Sequence, residues 1–450
     1  MRRLIMSSLR SAAAFKTGLL TVALCALTVP AHAELLGQAV ESALNHHPSV
    51  EAAIANRDAF TAERKEQWAD HFPSLNVRGT GGRVYGDNST SRGLTVTRGA
   101  AYSYLWEGSV TVTQPIFDGF ETFNRVDAAE MRTESATYEI VDVRENLALR
   151  TVLAYLDVLR GRETLAKIKA HSDKLADYQG RIQKMVDEGA ADKSMIVQAQ
   201  DIKAQLDNTM TDIEGQLKTA NADYLELTGH LPEDPMETPE FHADMMPPEA
   251  DAGVTDALGS HLSLKAVAST TQALAYDAAA EKQFYYPDVS GELSYLERDQ
   301  VDEIGGEAVD AKAVVRLNWD LSVAGGQAAR VKKSLYREHE SKAKQAETQR
   351  QVEHDVRVAY NDLTTSQDRV KIQQDRVKIN EDLFANYNAQ FEAARVNLLQ
   401  LLQSDNALFN ASLALLNGEY KLLASQFAVL ASMGKLQESL NVVSAANNEN

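Results

Sequence analysis

Three patterns in this chain could carry chemistry: a histidine pair, a glycine-rich turn and a run of carboxylates. His46-His47 presents two imidazoles of the kind that bind zinc. No third ligand stands at a useful spacing, and the pair runs directly into Pro48, so it reads as a helix-boundary feature. Gly79-Thr80-Gly81-Gly82 has the glycine density of a phosphate loop but lacks the following Lys-Ser/Thr; in strand-like sequence, glycine instead relieves crowding. Glu297, Asp299, Asp302, Glu303, Glu307 and Asp310 read first as a solvated acidic loop and second as a calcium site. No Ser-His-Asp or paired-carboxylate constellation stands out, and a single cysteine, Cys25, excludes a disulfide framework or a thiolate cluster. The expectation is a protein with no catalytic, cofactor or metal site.

Charge and hydropathy limit the remaining roles. Among 450 residues there are 45 Lys+Arg against 64 Asp+Glu, a net charge of -19, which argues against nucleic acid as a partner. Apolar residues make up 44% of the chain, yet past the N-terminus no run approaches the roughly 18 apolar residues a spanning helix requires. Any membrane role must therefore use strands or the surface. The N-terminus itself is an address: Arg2, Arg3, Arg10 and Lys16 precede an apolar run, and Ala31-His32-Ala33 offers small residues where a signal peptidase reads. Residues 1–33 are expected to be a signal peptide cleaved after Ala33. Leu24 before Cys25 is too bulky for a lipoprotein signal. Loss of four cations and no acid takes the charge from -19 to -23.

Proline placement shows the elements. None of the ten prolines lies in 116–231 or after 287, so two very long segments, 120–188 and 327–393, lack the strongest helix breaker. At the rise of an α-helix each would be about 100 Å long. Leu147, Leu153, Tyr155, Leu156 and Leu159, and in the second segment Val352, Val356, Ala359, Tyr360 and Leu363, recur at helical spacing. Each long helix is followed by a break, Glu188-Gly189-Ala190-Ala191-Asp192 or Ala393-Ala394-Arg395-Val396-Asn397, and by a return helix, 193–227 or 398–436. Each is preceded by a shorter helix, 36–68 or 255–283. Pro115 and Trp319 lie 204 residues apart, while Tyr155 and Tyr360, and Gly189 and Ala394, lie 205 apart, which makes the chain a tandem duplication. The repeats are placed at 34–230 and 255–436, with a proline-rich connector at 231–254 and a tail at 437–450.

Between the helices the period changes to two. Tyr102, Tyr104, Trp106, Val110 and Val112 alternate with Ser103, Glu107, Ser109, Thr111 and Thr113. Four strands are expected, at about 73–85, 102–115, 287–296 and 311–320. Alternation alone fits a small soluble sheet at least as well as an outer-membrane barrel. In lipid, four strands leave two open edges, and the smallest membrane barrels have about 8 strands. Several chains must then share one barrel, and three would supply twelve strands.

The duplicated plan, with Gln114-Pro115-Ile116-Phe117-Asp118-Gly119, Ala154-Tyr155-Leu156-Asp157 and Gln390-Phe391-Glu392-Ala393-Ala394-Arg395-Val396-Asn397-Leu398-Leu399, resembles the TolC family of outer-membrane channels over essentially the whole mature chain. Gln283-Phe284-Tyr285-Tyr286-Pro287-Asp288-Val289 and Asp405-Asn406-Ala407-Leu408-Phe409-Asn410-Ala411 look most like the branch serving type I protein secretion. The resemblance implies a mostly α fold with a small β part. It implies a homotrimer whose shared transmembrane β-barrel sits in outer-membrane lipid above a periplasmic α-helical barrel. Its partners would be a periplasmic adaptor and an inner-membrane ABC transporter, or a proton-driven pump if the cargo is small molecules. It places adaptor contacts at the hairpin tips, here Gly189, Ala190, Asp192, Ala394, Arg395 and Val396. It also implies charged rings in the periplasmic constriction, but the two usual acidic positions are Gln400 and Gln403. Asp192 and Asp405 are the nearby acids, each read first as a helix-start cap and second as a substitute charge. Two other functions stand beside type I secretion: small-molecule efflux, and a soluble periplasmic coiled-coil scaffold.

Overall fold

A computed structural model describes residues 34–86, 101–241, 243–301, 307–321, 324–393 and 395–442. The leader 1–33, Ala394, Asp302, Glu303 and the last residues of the tail lie outside them. The described chain is mostly helical with one small sheet. In order it runs α1 (Leu36–His46), α2 (Pro48–Ala69), β1 (Ser74–Gly86), β2 (Ala101–Phe117), α3 (Glu121–Asp187) and α4 (Lys193–Thr228). Then come α5 (Ala250–Ser260), α6 (Leu262–Ala280), β3 (Asp288–Val301), β4 (Ala308–Asn318), α7 (Gly326–Glu392), α8 (Leu398–Ser432) and the short α9 (Leu436–Ser439).

The long helices α3 and α7 have 67 residues each and start the same way. Phe120 (φ 67°) and Gly325 (φ 74°) cap them in the left-handed region. Gly119 before Phe120 is also left-handed, and a Cβ there would stand 2.8 Å from the Gln283 carbonyl oxygen. Only glycine fits that crossing of strand and helix. α2 and α4 pack along successive parts of α3, and α6 and α8 do the same along α7. α6 also packs on α3, so the second repeat is bound to the first along the shaft.

The shorter helix expected before each sheet is in fact two. α1 and α2 break at His47, and α5 and α6 break at His261, both extended at the break (ψ 129° and 130°). Pro48 forces the first break because the residue before proline is driven out of the helical region. In both repeats the histidine Nδ1 accepts the backbone N–H two residues on, from Ser49 at 3.2 Å and from Ser263 at 3.3 Å. His47 is thus a helix cap.

Three apolar clusters line the shaft. Val40, Leu44, Tyr155, Tyr224 and Leu436 join α1, α3, α4 and α9. Val254, Val356, Tyr360 and Val429 join α5, α7 and α8. Nearer the tips, Ile168, Leu175, Ile182, Met195, Leu398, Leu401 and Leu402 hold the two hairpins together.

Candidate functional site

The four strands form one antiparallel sheet in the order β1-β2-β3-β4, joining the two repeats through β2 and β3. In register, directly opposed residues share a face. Val77 pairs with Val110 and Val110 with Tyr295, while Leu75 pairs with Val112 and Val112 with Leu293. On this face Val77 is 70% exposed and Val315 on β4 72%. Large aliphatic groups that exposed need a cover other than the chain's own core. The opposite face carries Thr113, Ser109, Lys312 and two cross-strand ion pairs, Glu107 with Arg298 at 2.7 Å and Glu292 with Arg316 at 2.5 Å. Aromatic rings mark both ends of the apolar face: Tyr85, Tyr102, Tyr104 and Trp106 at one, Trp319 at the other. β1 and β4 are open edges.

At the far end of the shaft are the hairpin tips. Gly189 turns left-handed (φ 70°), and the Ala190 and Ala191 N–H groups both donate to the Met185 carbonyl. Ala190 is exposed. Asp192 caps α4, accepting the Ser194 N–H at 2.7 Å, and that bond holds its carboxyl below the ordinary carboxylate range. At the second tip the Arg395 N–H donates to the Gln390 carbonyl at 2.9 Å; Arg395 is exposed and Val396 half-buried. Ala394 lies outside the described residues.

The three residues expected near the constriction separate into different environments. Gln400 closes a capping box: Asn397 Oδ1 accepts the Gln400 N–H at 2.9 Å, and Gln400 Oε1 accepts the Asn397 N–H at 3.2 Å. The Asn-x-x-Gln spacing is a capping-box signature and was readable in the sequence. Gln403 is exposed. Asp405 corrects both readings made for it. It lies well inside α8, not at its start, and is 4% exposed, so within the protomer it neither caps the helix nor presents a charge to solvent.

Asp405 instead faces His171 of α3, with His171 Nδ1 and Asp405 Oδ2 3.8 Å apart. The His171 ring lies flat on Phe409, centroids 3.9 Å apart and planes 4° from parallel. Burial lowers the His171 pKa, opposed by the Asp405 charge and the Asn406 side chain and reinforced by Lys174. His171 went unnoticed in the sequence because an isolated histidine on a helix carries no pattern. Among the described residues no group of three or more His, Cys, Asp or Glu side chains is placed to hold a metal, and no helix is long and apolar enough to cross a membrane.

Comparison with known proteins places this architecture. The family model described as "Outer membrane efflux protein" matches residues 39–230 and 253–435, one block per repeat. The chain belongs to the outer membrane efflux protein family. The outer membrane efflux protein BepC of Brucella suis biovar 1 (strain 1330) is 24% identical over 255 residues, 56% of this chain; the match spans 55% of that relative's length. Among solved structures, CusC superimposes with a TM-score of 0.78 at 13% identity, covering 88% of this chain and 91% of its own. The CmeC outer membrane channel of Campylobacter jejuni gives 0.76 at 12%, covering 92% and 90%. VceC of Vibrio cholerae gives 0.75 at 17%, covering 89% and 96%. The fold is therefore that of the TolC-like channels, as the sequence resemblance implied, and this outer membrane efflux protein resides in the outer membrane and reaches into the periplasm.

Proposed function

We propose that the protein is the passive exit duct of a tripartite export system. Three copies close one twelve-stranded barrel, and the helical shaft receives cargo from an inner-membrane transporter through a periplasmic adaptor. The observation that carries this reading is the sheet itself: four strands, open at β1 and β4, with an exposed apolar face and an ion-paired polar face. Lipid tolerates neither edge, so closure must come from sister subunits. The polar face then lines the water-filled lumen, and the tips at Gly189, Ala190, Asp192, Arg395 and Val396, together with Ala394, are the adaptor-facing end. The constriction is set by α8 near Gln403.

The sequence motifs around Tyr286 and Phe409 support type I protein secretion as the cargo class, with an ABC transporter as the engine. A second reading, small-molecule efflux, is favoured by the name of the Brucella relative. Single-channel recordings in planar bilayers and crosslinking of the trimer in native membranes test the duct; a monomer without conductance overturns it. Deleting the gene and comparing the secreted proteins with drug sensitivity separates the two cargo classes.

A further inference from the structure

Glu34 is the residue that follows the expected cleavage junction, and all of its polar groups are engaged. Its N–H donates to the Pro235 carbonyl at 3.0 Å, and its carbonyl accepts the Glu237 N–H at 3.1 Å and the Tyr155 hydroxyl at 2.7 Å. These bonds stitch it alongside Met236 as a parallel bridge. Its carboxylate accepts the Tyr224 hydroxyl on one oxygen and the Glu233 N–H, at 2.9 Å, on the other. Glu34 is 5% exposed, so a carboxylate has been taken out of water between α3, α4 and the connector.

The two donors hydrogen-bonded to that carboxylate, the Tyr224 hydroxyl and the Glu233 N–H, carry no charge. Burial, aided by the Glu34 charge, raises the Tyr224 pKa, so its hydroxyl keeps its proton. His230 Nε2 stands 4.0 Å away on a half-exposed ring. The nearby Arg162 donates to the Glu233 and Pro232 carbonyls at 2.7 and 3.1 Å. Among the described residues no lysine or arginine lies within ion-pair distance of Glu34. A buried carboxylate without a cation is costly.

We propose that cleavage between Ala33 and Glu34 supplies the cation: the freed α-ammonium of Glu34 is the counter-ion of this buried carboxylate and locks the connector onto α3 and α4. Water adds across the peptide bond, its oxygen completing the Ala33 carboxylate and its two protons leaving the Glu34 nitrogen as an ammonium. One N–H keeps the Pro235 carbonyl; the other two are new donors inside the cluster. Removal of the leader is thereby coupled to how firmly the connector is held on α3 and α4. The inference stands on residues 34–237 and the leader pattern, independently of what the duct carries.

The test uses the full chain purified from membranes. Intact mass is expected to show a mature chain starting at Glu34. Inserting Ser-Leu after Ala33, which leaves a bulky residue directly before Glu34 and so keeps cleavage after Ala33, moves the ammonium two residues away and is expected to speed proteolytic cutting of the connector several-fold. In Glu34→Gln the same insertion is expected to change the rate little, because the charge it served is gone. Equal effects of the insertion in both backgrounds, no effect in either, or a mature chain starting elsewhere would each overturn the proposal. An amine-labelling reagent applied to the unaltered protein is expected to modify the α-amine at least an order of magnitude more slowly before unfolding than after; equal rates would also overturn it. Conductance measured in parallel reports on the duct reading alone.

Discussion

His171 on α3 and Asp405 on α8 meet across the contact between the two hairpins, 3.8 Å apart and both buried, with His171 Nε2 and Asp405 Oδ2 lacking any hydrogen-bond partner. The pair lies against the apolar cluster that joins the hairpins near their tips, through the stacking of His171 on Phe409.

That arrangement makes the contact acid-sensitive. Burial holds the His171 pKa below its ordinary value, so the unfolded chain takes up the proton first as pH falls. The contribution is complete above about pH 6.5, the ordinary histidine value, and is lost as pH falls through it toward the folded-state pKa. The charged and titratable neighbours are Asp405, Lys174 and Tyr178. The hydrogen-exchange protection factors of Leu401 and Leu402, taken relative to the intrinsic rate at each pH, are expected to fall between pH 7 and pH 5, and His171→Gln is expected to flatten that dependence. An unchanged slope in the variant would count against His171 as the titrating group.

Gly189 gives a second expectation. A Cβ there would meet nothing within 4 Å, so space is free, but φ is 70°. Left-handed backbone costs a β-branched residue about 1–2 kcal/mol, and asparagine less. Gly189→Val is therefore expected to lower tip protection in hydrogen exchange, with Gly189→Asn close to the parent. If Gly189 also faces the adaptor, Gly189→Asn weakens capture of the adaptor without this loss of protection.

The two sheet faces are expected to respond differently to charge. Val77→Lys on the apolar face should cost about 2–4 kcal/mol at mid-membrane and shift the protein out of the membrane fraction. Arg298→Gln on the ion-paired face should leave the chain in the membrane and raise cation preference, because Glu107 loses its partner. Equal fractionation of the two variants would contradict the assignment of faces.

Much of this was readable from residue types. Period-two alternation located the strands, and the shared offset of Tyr155 and Tyr360 located the duplication; Phe120 and Gly325 now show the same offset in backbone conformation. Pro48 marked His46-His47 as a helix boundary, although one helix was expected over 36–68; the break at His261 was not read, because no proline stands there and only the local cap reveals the interruption. The buried Asp405 was misassigned for a related reason. Its sequence neighbours are polar, and which face of α8 meets α3 is decided by packing between hairpins far apart in the chain.

Gln400 and Gln403 give the last expectation. In Gln400→Asp the shorter side chain would sit at the third position of α8, where a carboxylate favours the helix N-terminus but the reciprocal bond to the Asn397 N–H weakens. Gln403 has no such role and is exposed one turn further on. Carboxylates in a narrow pore attract cations. The double substitution Gln400→Asp, Gln403→Asp is therefore expected to raise cation preference, and Gln403→Asp alone to account for most of the change. Reversal potentials under a salt gradient measure it. If the single variant leaves them where they were, α8 does not present Gln403 to the pore and the constriction lies elsewhere along the tips.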